Sequence, residues 1–113
     1  MKVQVALDFG TIDDAKAILE DIVDYVDIVE VGAISTEFGF AALTELKKAF
    51  PGPEYLSDIK IADGGGYFAD MAHGYGADYV TVLGCVEDAT IISALKAAEK
   101  TGISSFIIFC WII

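Results

Sequence analysis

Positive charge is scarce in this chain of 113 residues, which has 7 Lys and Arg residues against 18 Asp and Glu and a net charge of −11. Because nucleic-acid binding needs a basic surface, this balance argues against a nucleic-acid partner. It still allows a small phosphorylated substrate, whose charge a few backbone N–H groups and one cation can meet. Several of the acidic residues fall between positions 13 and 24, where we expect the solvated face of a helix.

Long apolar runs are also lacking. The longest, residues 106–113, is far shorter than the roughly 20 residues of a membrane-spanning helix, and no basic region followed by an apolar stretch opens the chain. We therefore expect a cytoplasmic protein with no membrane partner.

Cysteine is nearly absent: Cys85 and Cys110 are far apart in apolar segments, which favours reduced core thiols over a disulfide or a metal site.

The chain is rich in short apolar runs that alternate with segments of helical period, and 55% of its residues are hydrophobic. The runs predict strands at 3–9, 27–33, 55–62, 78–85 and 104–113, and the helical periods predict helices at 11–25, 39–50, 67–75 and 88–100, with Thr11 as N-cap and Gly102 as the stop. This strict alternation indicates an α/β protein with parallel strands joined by right-handed crossovers. Both a doubly wound sheet and a (β/α)8 barrel fit the pattern.

Ionisable residues in the otherwise apolar strands favour the barrel. Asp8, Glu30, Asp58 and Lys60 lie in or near the ends of predicted strands, and Asp63 follows the third. Because side chains alternate between the two faces of a strand, we expect Asp58 and Lys60 on the same face. Charges are costly to bury unless they pair or bind a ligand, and in a barrel the carboxyl ends of successive strands converge on one mouth, where active sites lie. A doubly wound sheet would favour a glycine-rich loop after its first strand, and residues 8–11 (DFGT) contain only one glycine.

Around these charges the sequence resembles the orotidine-monophosphate-decarboxylase superfamily, whose mark is D-x-K-x-x-D at the end of the third barrel strand. Here the motif stands as Asp58-Ile-Lys60-Ile-Ala-Asp63, supported by 5–8 (VALD), 25–32 (YVDIVEVG), 64–67 (GGGY), 76–84 (GADYVTVLG) and 87–91 (EDATI). Within the superfamily the chain is most similar to the 3-hexulose-6-phosphate synthases, and the sister 3-keto-L-gulonate-6-phosphate decarboxylases share most of these segments. The resemblance implies the N-terminal half, about (βα)4β, of a TIM barrel of the ribulose-phosphate-binding type.

The resemblance also implies a reaction and residue roles. The reaction is a Mg²⁺-dependent aldol addition of formaldehyde to ribulose 5-phosphate through an enediolate, with a carboxy-lyase reaction as the alternative. Glu30 and Asp58 match the family's metal ligands and Lys60 the lysine that supports the enediolate oxyanion. Asp8 matches a contact to substrate hydroxyls. Asp63 matches the aspartate that reaches into the partner's site, which implies a homodimer.

The chain departs from the family in length, since a complete barrel needs about 250 residues. Residues 1–102 are expected to form the first half of the barrel. Residues 103–113 form an apolar tail that we interpret as a possible fifth strand, divergent or out of frame. The family's phosphate-binding loops belong to the other half. An inactive or self-associating half barrel, with open strand edges and an uncovered apolar interior, is therefore a second hypothesis.

Three further features are assigned structural roles. Met71 and the scattered aromatic residues at helical spacing are expected to be ordinary core. His73, the only histidine, falls in the third predicted helix, and we expect a surface or packing role for it and not a catalytic one. The glycines at 64–66 favour a turn out of the third strand over a phosphate cradle, although a helix N-terminus there could bind an anion.

Overall fold

The computed structural model describes residues 1–8 and 10–108. Five strands alternate with helices along the chain. The strands are β1 (Gln4–Leu7), β2 (Ile28–Val31), β3 (Glu54–Ile61), β4 (Tyr79–Leu83) and β5 (Ser104–Ile108), and the helices are α1 (Ile12–Ile22), α2 (Ala33–Phe38), α3 (Ala41–Ala49), α4 (Gly65–Gly74) and α5 (Asp88–Thr101). A short 3-10 helix, Val23–Tyr25, continues α1.

All five strands are parallel, and their order in the sheet is their order in the sequence, β1-β2-β3-β4-β5. A doubly wound sheet reverses its strand order at a switch point, and this sheet does not do so over the described strands. The order is that of a barrel wall, and the predicted half barrel is confirmed.

The main core lies between the sheet and the helices. Its largest fully buried side chains come from both layers: Tyr55, Leu19, Ile34, Leu43, Leu46, Val29, Val31, Val80 and Val82. The Tyr55 hydroxyl donates to the main-chain oxygens of Leu46 or Phe50, at 3.2 and 2.9 Å, so it ties β3 to the end of α3. The opposite face of the sheet carries a groove of about 240 Å³ that includes Glu30, Thr81 and Phe106.

The helix ends follow the local sequence. Thr11 caps α1 in a capping box: its hydroxyl accepts from the Asp14 N–H at 3.2 Å, and Asp14 accepts from the Thr11 N–H at 2.8 Å. Gly102 ends α5 with a left-handed φ of +83°. Both of these helix ends are confirmed as predicted. The acidic residues at positions 13–24, in α1 and directly after it, are exposed as expected: Asp13, Asp14, Glu20, Asp21 and Asp24.

Two predictions about local structure are wrong, and one helix was not predicted. The helix expected at 39–50 is present as α3, but the separate helix α2 precedes it, because Gly39 with φ +73° breaks the helical path between them. Cys85 is exposed in the turn after β4 and is not a core thiol, while Cys110 lies outside the described residues. Tyr67, Phe68 and Tyr75, expected to be ordinary core aromatics, are exposed.

Over the part of the chain that is described, no helix has the length and apolar character needed to cross a membrane. The tail predicted for residues 103–113 contributes β5 up to Ile108, and residues 109–113 lie outside the described range.

Candidate active site

Four charged residues predicted from the sequence meet at the carboxyl ends of β1, β2 and β3. Asp8 follows β1, Glu30 is in β2, and Asp58 and Lys60 are in β3. Their meeting point is marked by Gly32: a Cβ placed there would lie 2.2 Å from Asp8 Oδ1 and 3.6 Å from Asp58 Oδ2. The missing side chain of Gly32 is therefore what lets these carboxylates approach the end of β2.

Asp58 is held from two sides. Its side chain is only 6% exposed, and Oδ2 forms an ion pair with Lys60 Nζ. Its other oxygen, Oδ1, accepts a hydrogen bond of 2.8 Å from Thr81 Oγ1 in β4. A buried carboxylate needs such partners, because an unpaired charge in this position would be costly. The two bonds also fix the direction in which the remaining lone pairs of Asp58 point.

Like charges accumulate around Glu30. The pKa of its carboxyl is raised chiefly by burial and further by Asp58 and Asp8, while a hydrogen bond from Gln4 Nε2 opposes the rise. The pKa of Lys60 is raised by its hydrogen bond to Asp58 and by the negative charges of Asp58, Asp8 and Glu30, against the effect of burial. Lys60 is therefore a fixed cation set among three carboxyl groups.

The backbone of β3 departs from a regular strand at this point. Ser57 pairs with Val80 and Ile61 with Val82, so residues 58–60 lie opposite Thr81 alone. Within this bulge Lys60 has a φ of +49°, the only positive φ of a non-glycine residue among those described. Such a left-handed conformation is strained for lysine, and bulges of this kind redirect side chains beside active sites.

The sequence placed Asp58 and Lys60 on one face by simple alternation, and their side chains do meet. The bulge that brings them together was not predicted, and neither was the part played by Thr81. The available signal was weak: Thr81 is the one polar residue in the apolar run of β4, Tyr79–Leu83, apart from the tyrosine that begins it.

Asp63 stands apart from the other four. It is exposed after β3, and its Oδ1 accepts a 2.7 Å hydrogen bond from the Gly64 N–H. It lines an apolar cavity of about 360 Å³ together with Phe40, Lys60 and Phe68. Asp63 therefore shares this cavity with Lys60, while its own hydrogen bond is to its chain neighbour Gly64.

The donor atoms of the cluster suit a hard divalent cation that is only partly coordinated by protein. Mg²⁺ is commonly held by one or two carboxylates and keeps several waters or substrate oxygens. Glu30 and Asp58 can supply two such carboxylates, and the crowding of negative charge favours a cation there. No group of three or more His, Cys, Asp or Glu residues in the described ranges has the arrangement of a protein-only metal cage.

Another cavity, of about 300 Å³, lies at the opposite ends of the strands and includes His73 and Asp78. Its charges are already paired, since Lys47 Nζ lies 2.8 Å from Asp78 Oδ2. His73 is exposed at its edge, so of the two roles expected for it the structure shows the surface position. The candidate catalytic and metal-binding groups therefore lie at the end of the sheet that contains Asp58.

Comparisons with known proteins identify relatives of this chain. A family model described as the orotidine 5'-phosphate decarboxylase / HUMPS family matches residues 1–109. The 3-hexulose-6-phosphate synthase of Bacillus subtilis is 42% identical over 101 residues, which cover 88% of this chain and 48% of that protein.

Two solved structures show the same architecture. The 3-hexulose-6-phosphate synthase of Salmonella typhimurium superposes with a TM-score of 0.92 at 40% identity, over 95% of this chain and 51% of that one. A 3-keto-L-gulonate-6-phosphate decarboxylase from Vibrio cholerae gives a TM-score of 0.92 at 32% identity, over 97% of this chain and 52% of that one. The chain thus spans about half the length of the relatives it matches.

Proposed function

The chain belongs to the orotidine 5'-phosphate decarboxylase / HUMPS family, and on this premise we propose that it carries the metal and enediolate site of a 3-hexulose-6-phosphate synthase-type lyase. The reaction joins formaldehyde to ribulose 5-phosphate. One observation carries the proposal: Asp8, Glu30, Asp58 and Lys60 meet at the carboxyl ends of three neighbouring strands. The identity to the synthases, 42% and 40%, exceeds the 32% to the decarboxylase.

Each residue has a role that its geometry suits. Lys60 is a permanent cation beside Asp58, so it can stabilise the negative charge that develops on the enediolate oxygens. Asp8 is exposed next to this pair and can accept hydrogen bonds from substrate hydroxyls. Glu30 and Asp58 would hold Mg²⁺, which supplies Lewis-acid stabilisation of developing negative charge when it is bound.

The four clustered residues do not account for phosphate binding or for the second subunit of the proposed assembly. We assign phosphate binding to the part of the barrel that corresponds to the other half of the relatives. A homodimer is the proposed assembly, with Asp63 directed towards the partner's site. The exposed position of Asp63, beside a cavity lined by Phe40 and Phe68, supports this assignment.

A chimera tests the proposed reaction. Residues 1–108 are joined to the second half of the Bacillus subtilis relative, and turnover of ribulose 5-phosphate and formaldehyde is measured with Mg²⁺. We expect activity that Asp58→Asn or Lys60→Met lowers by roughly 10²-fold or more, the size of losing one preorganised electrostatic group. Asp21→Asn, which removes an exposed charge from α1, is the matched control and should keep the activity.

The alternatives give different results in the same assay. Preferential turnover of 3-keto-L-gulonate 6-phosphate would assign the chain to the decarboxylases. A folded chimera that is silent with both substrates would contradict the proposal and favour an inactive or self-associating half barrel. In that case Mg²⁺ titration of the chain would show no specific site, and Asp58→Ala would change nothing measurable.

Complementation tests the shared site. Lys60→Met and Asp63→Ala chimeras, each weakly active, are mixed and allowed to exchange subunits. If Asp63 acts in the partner's site, a mixed dimer contains one site with both residues intact, and activity should rise above that of either variant. Activity that only averages the two parents would place Asp63 in its own subunit's site or in none.

A further inference from the structure

Thr81 in β4 connects the two charged residues of the β3 bulge. Its hydroxyl donates to Asp58 Oδ1 at 2.8 Å and accepts from the Lys60 main-chain N–H, also at 2.8 Å. The residue is 2% exposed. A hydroxyl has one proton to donate and two lone pairs, so this single group can serve the carboxylate and the amide together.

The two hydrogen bonds stabilise the left-handed backbone of Lys60 and the bulge around it, which the neighbouring sequence does not stabilise by itself. Lys60 has a left-handed backbone, which costs free energy for a residue with a side chain. In the bulge, residues 58–60 lie opposite Thr81 alone, and the hydroxyl supplies the acceptor for the Lys60 N–H. The same hydroxyl occupies one oxygen of Asp58 while Lys60 Nζ occupies the other.

We propose that Thr81 is a positioning residue that holds the β3 bulge and the Asp58 carboxylate in the geometry required for cation binding. The cation-binding part rests on the proposed function. The hydrogen-bonding part does not, because it concerns the chain without metal or substrate. Valine matches threonine in shape but would face a buried carboxylate and an amide with a methyl group, so both would lose a partner.

The test compares Thr81→Val with Thr81→Ser, which keeps the hydroxyl. Thr101→Val is the matched control: Thr101 Oγ1 also donates to an oxygen, that of Ala97 at 2.9 Å, and accepts from the Ile103 N–H at 3.4 Å, but it does so at the end of α5. The 113-residue chain is used for two measurements. The first is the exchange rate of the Lys60 amide by NMR, without metal, and the second is affinity for Mn²⁺ or Mg²⁺.

In the wild type the Lys60 amide should be protected. Thr81→Val should accelerate its exchange by roughly tenfold or more, as the loss of one hydrogen bond predicts, and should weaken cation affinity by about 10–100-fold, the range for groups that orient metal ligands. Thr81→Ser should restore most of both. Thr101→Val should leave both unchanged even where it lowers overall stability.

Several results would overturn the inference. An unprotected Lys60 amide in the wild type would do so without any variant, which keeps the test decisive if Thr81→Val fails to fold. Equal behaviour of Thr81→Val and Thr81→Ser would show that the hydroxyl is not what matters. If the wild-type chain binds neither cation, the metal assignment fails, while the amide measurement still decides the role of Thr81 in the bulge.

Discussion

Gly65 lies so close to a neighbouring helix that one added methyl group should disturb the fold. It begins α4, and a Cβ there would lie 2.0 Å from the main-chain oxygen of Thr90 and 2.7 Å from Ser93 Oγ, both in α5. Ordinary contact starts at 3.4 Å, so Gly65→Ala forces the helices apart by roughly 1 Å or more. Overpacking of this kind costs about 1–3 kcal/mol.

Helix propensity acts in the opposite direction, since alanine exceeds glycine by up to about 1 kcal/mol in a helix interior. At the first residue of a helix less of that gain is realised, and the clash is with backbone, which cannot rotate away. We therefore expect Gly65→Ala to lower the free energy of unfolding by about 1–2 kcal/mol.

Urea unfolding followed by circular dichroism measures the difference. Gly74→Ala is the matched control, because Gly74 ends the same helix and a Cβ there meets nothing within 4 Å. That variant should be neutral or more stable by up to roughly 1 kcal/mol. If Gly65→Ala were as stable as Gly74→Ala, the close packing of α4 on α5 would not be a feature of the protein in solution.

Three further changes have defined outcomes. Asp14→Asn should lower stability at neutral pH but not in acid. Hydrogen bonds from Thr11 hold the pKa of the Asp14 carboxyl below its usual 3.8, so its contribution to stability is present above that pH and is lost as the pH falls through the lowered pKa. A pH series of urea midpoints checks this. Tyr55→Phe should cost about 1 kcal/mol in the same assay, the value of one buried hydrogen bond, and an unchanged midpoint would contradict the contact with α3. Gly32→Ala should change stability by less than about 1 kcal/mol, because the one close contact of the new Cβ is with the end of the Asp8 side chain and the 3.6 Å to Asp58 Oδ2 is ordinary contact. The change should still weaken Mg²⁺ binding in a titration, because it displaces the Asp8 carboxylate from the cluster.

The sequence allowed the architecture to be predicted because each layer leaves its own period. Parallel strands that are buried on both faces read as short apolar runs, and the helices that cover them read as amphipathic segments. The N-cap of α1 was predicted at Thr11 because capping is local chemistry within four residues, although the full capping box with Asp14 was not predicted. By contrast, α2 spans only Ala33–Phe38, too short for a helical period to show.

Exposure was harder to predict than secondary structure. Cys85 follows an apolar strand and was expected in the core, but the strand ends at Leu83 and the chain turns before Cys85. Tyr67 and Phe68 sit in α4 with apolar neighbours, yet both are exposed. Hydrophobicity tells which residues gain from burial, whereas the helix face that is covered depends on what packs against it.

Part of the candidate site can be predicted from neighbouring sequence, and part depends on a residue that is distant in the sequence. Which residues carry charge at the strand ends can be read directly, and parallel strands bring those ends together whatever the intervening sequence. The orientation of Asp58 and Lys60 depends instead on Thr81, which is 21 residues beyond Lys60 and belongs to another strand. A chain with Thr81→Val would keep Asp58-Ile-Lys60-Ile-Ala-Asp63 unchanged, and its motif would still predict the site. If the bulge depends on that hydroxyl, the motif identifies the charged groups of the site but not the hydrogen bonds that position them. Two chains with identical motifs can then differ in cation affinity because one of them has a methyl group in place of the buried hydroxyl.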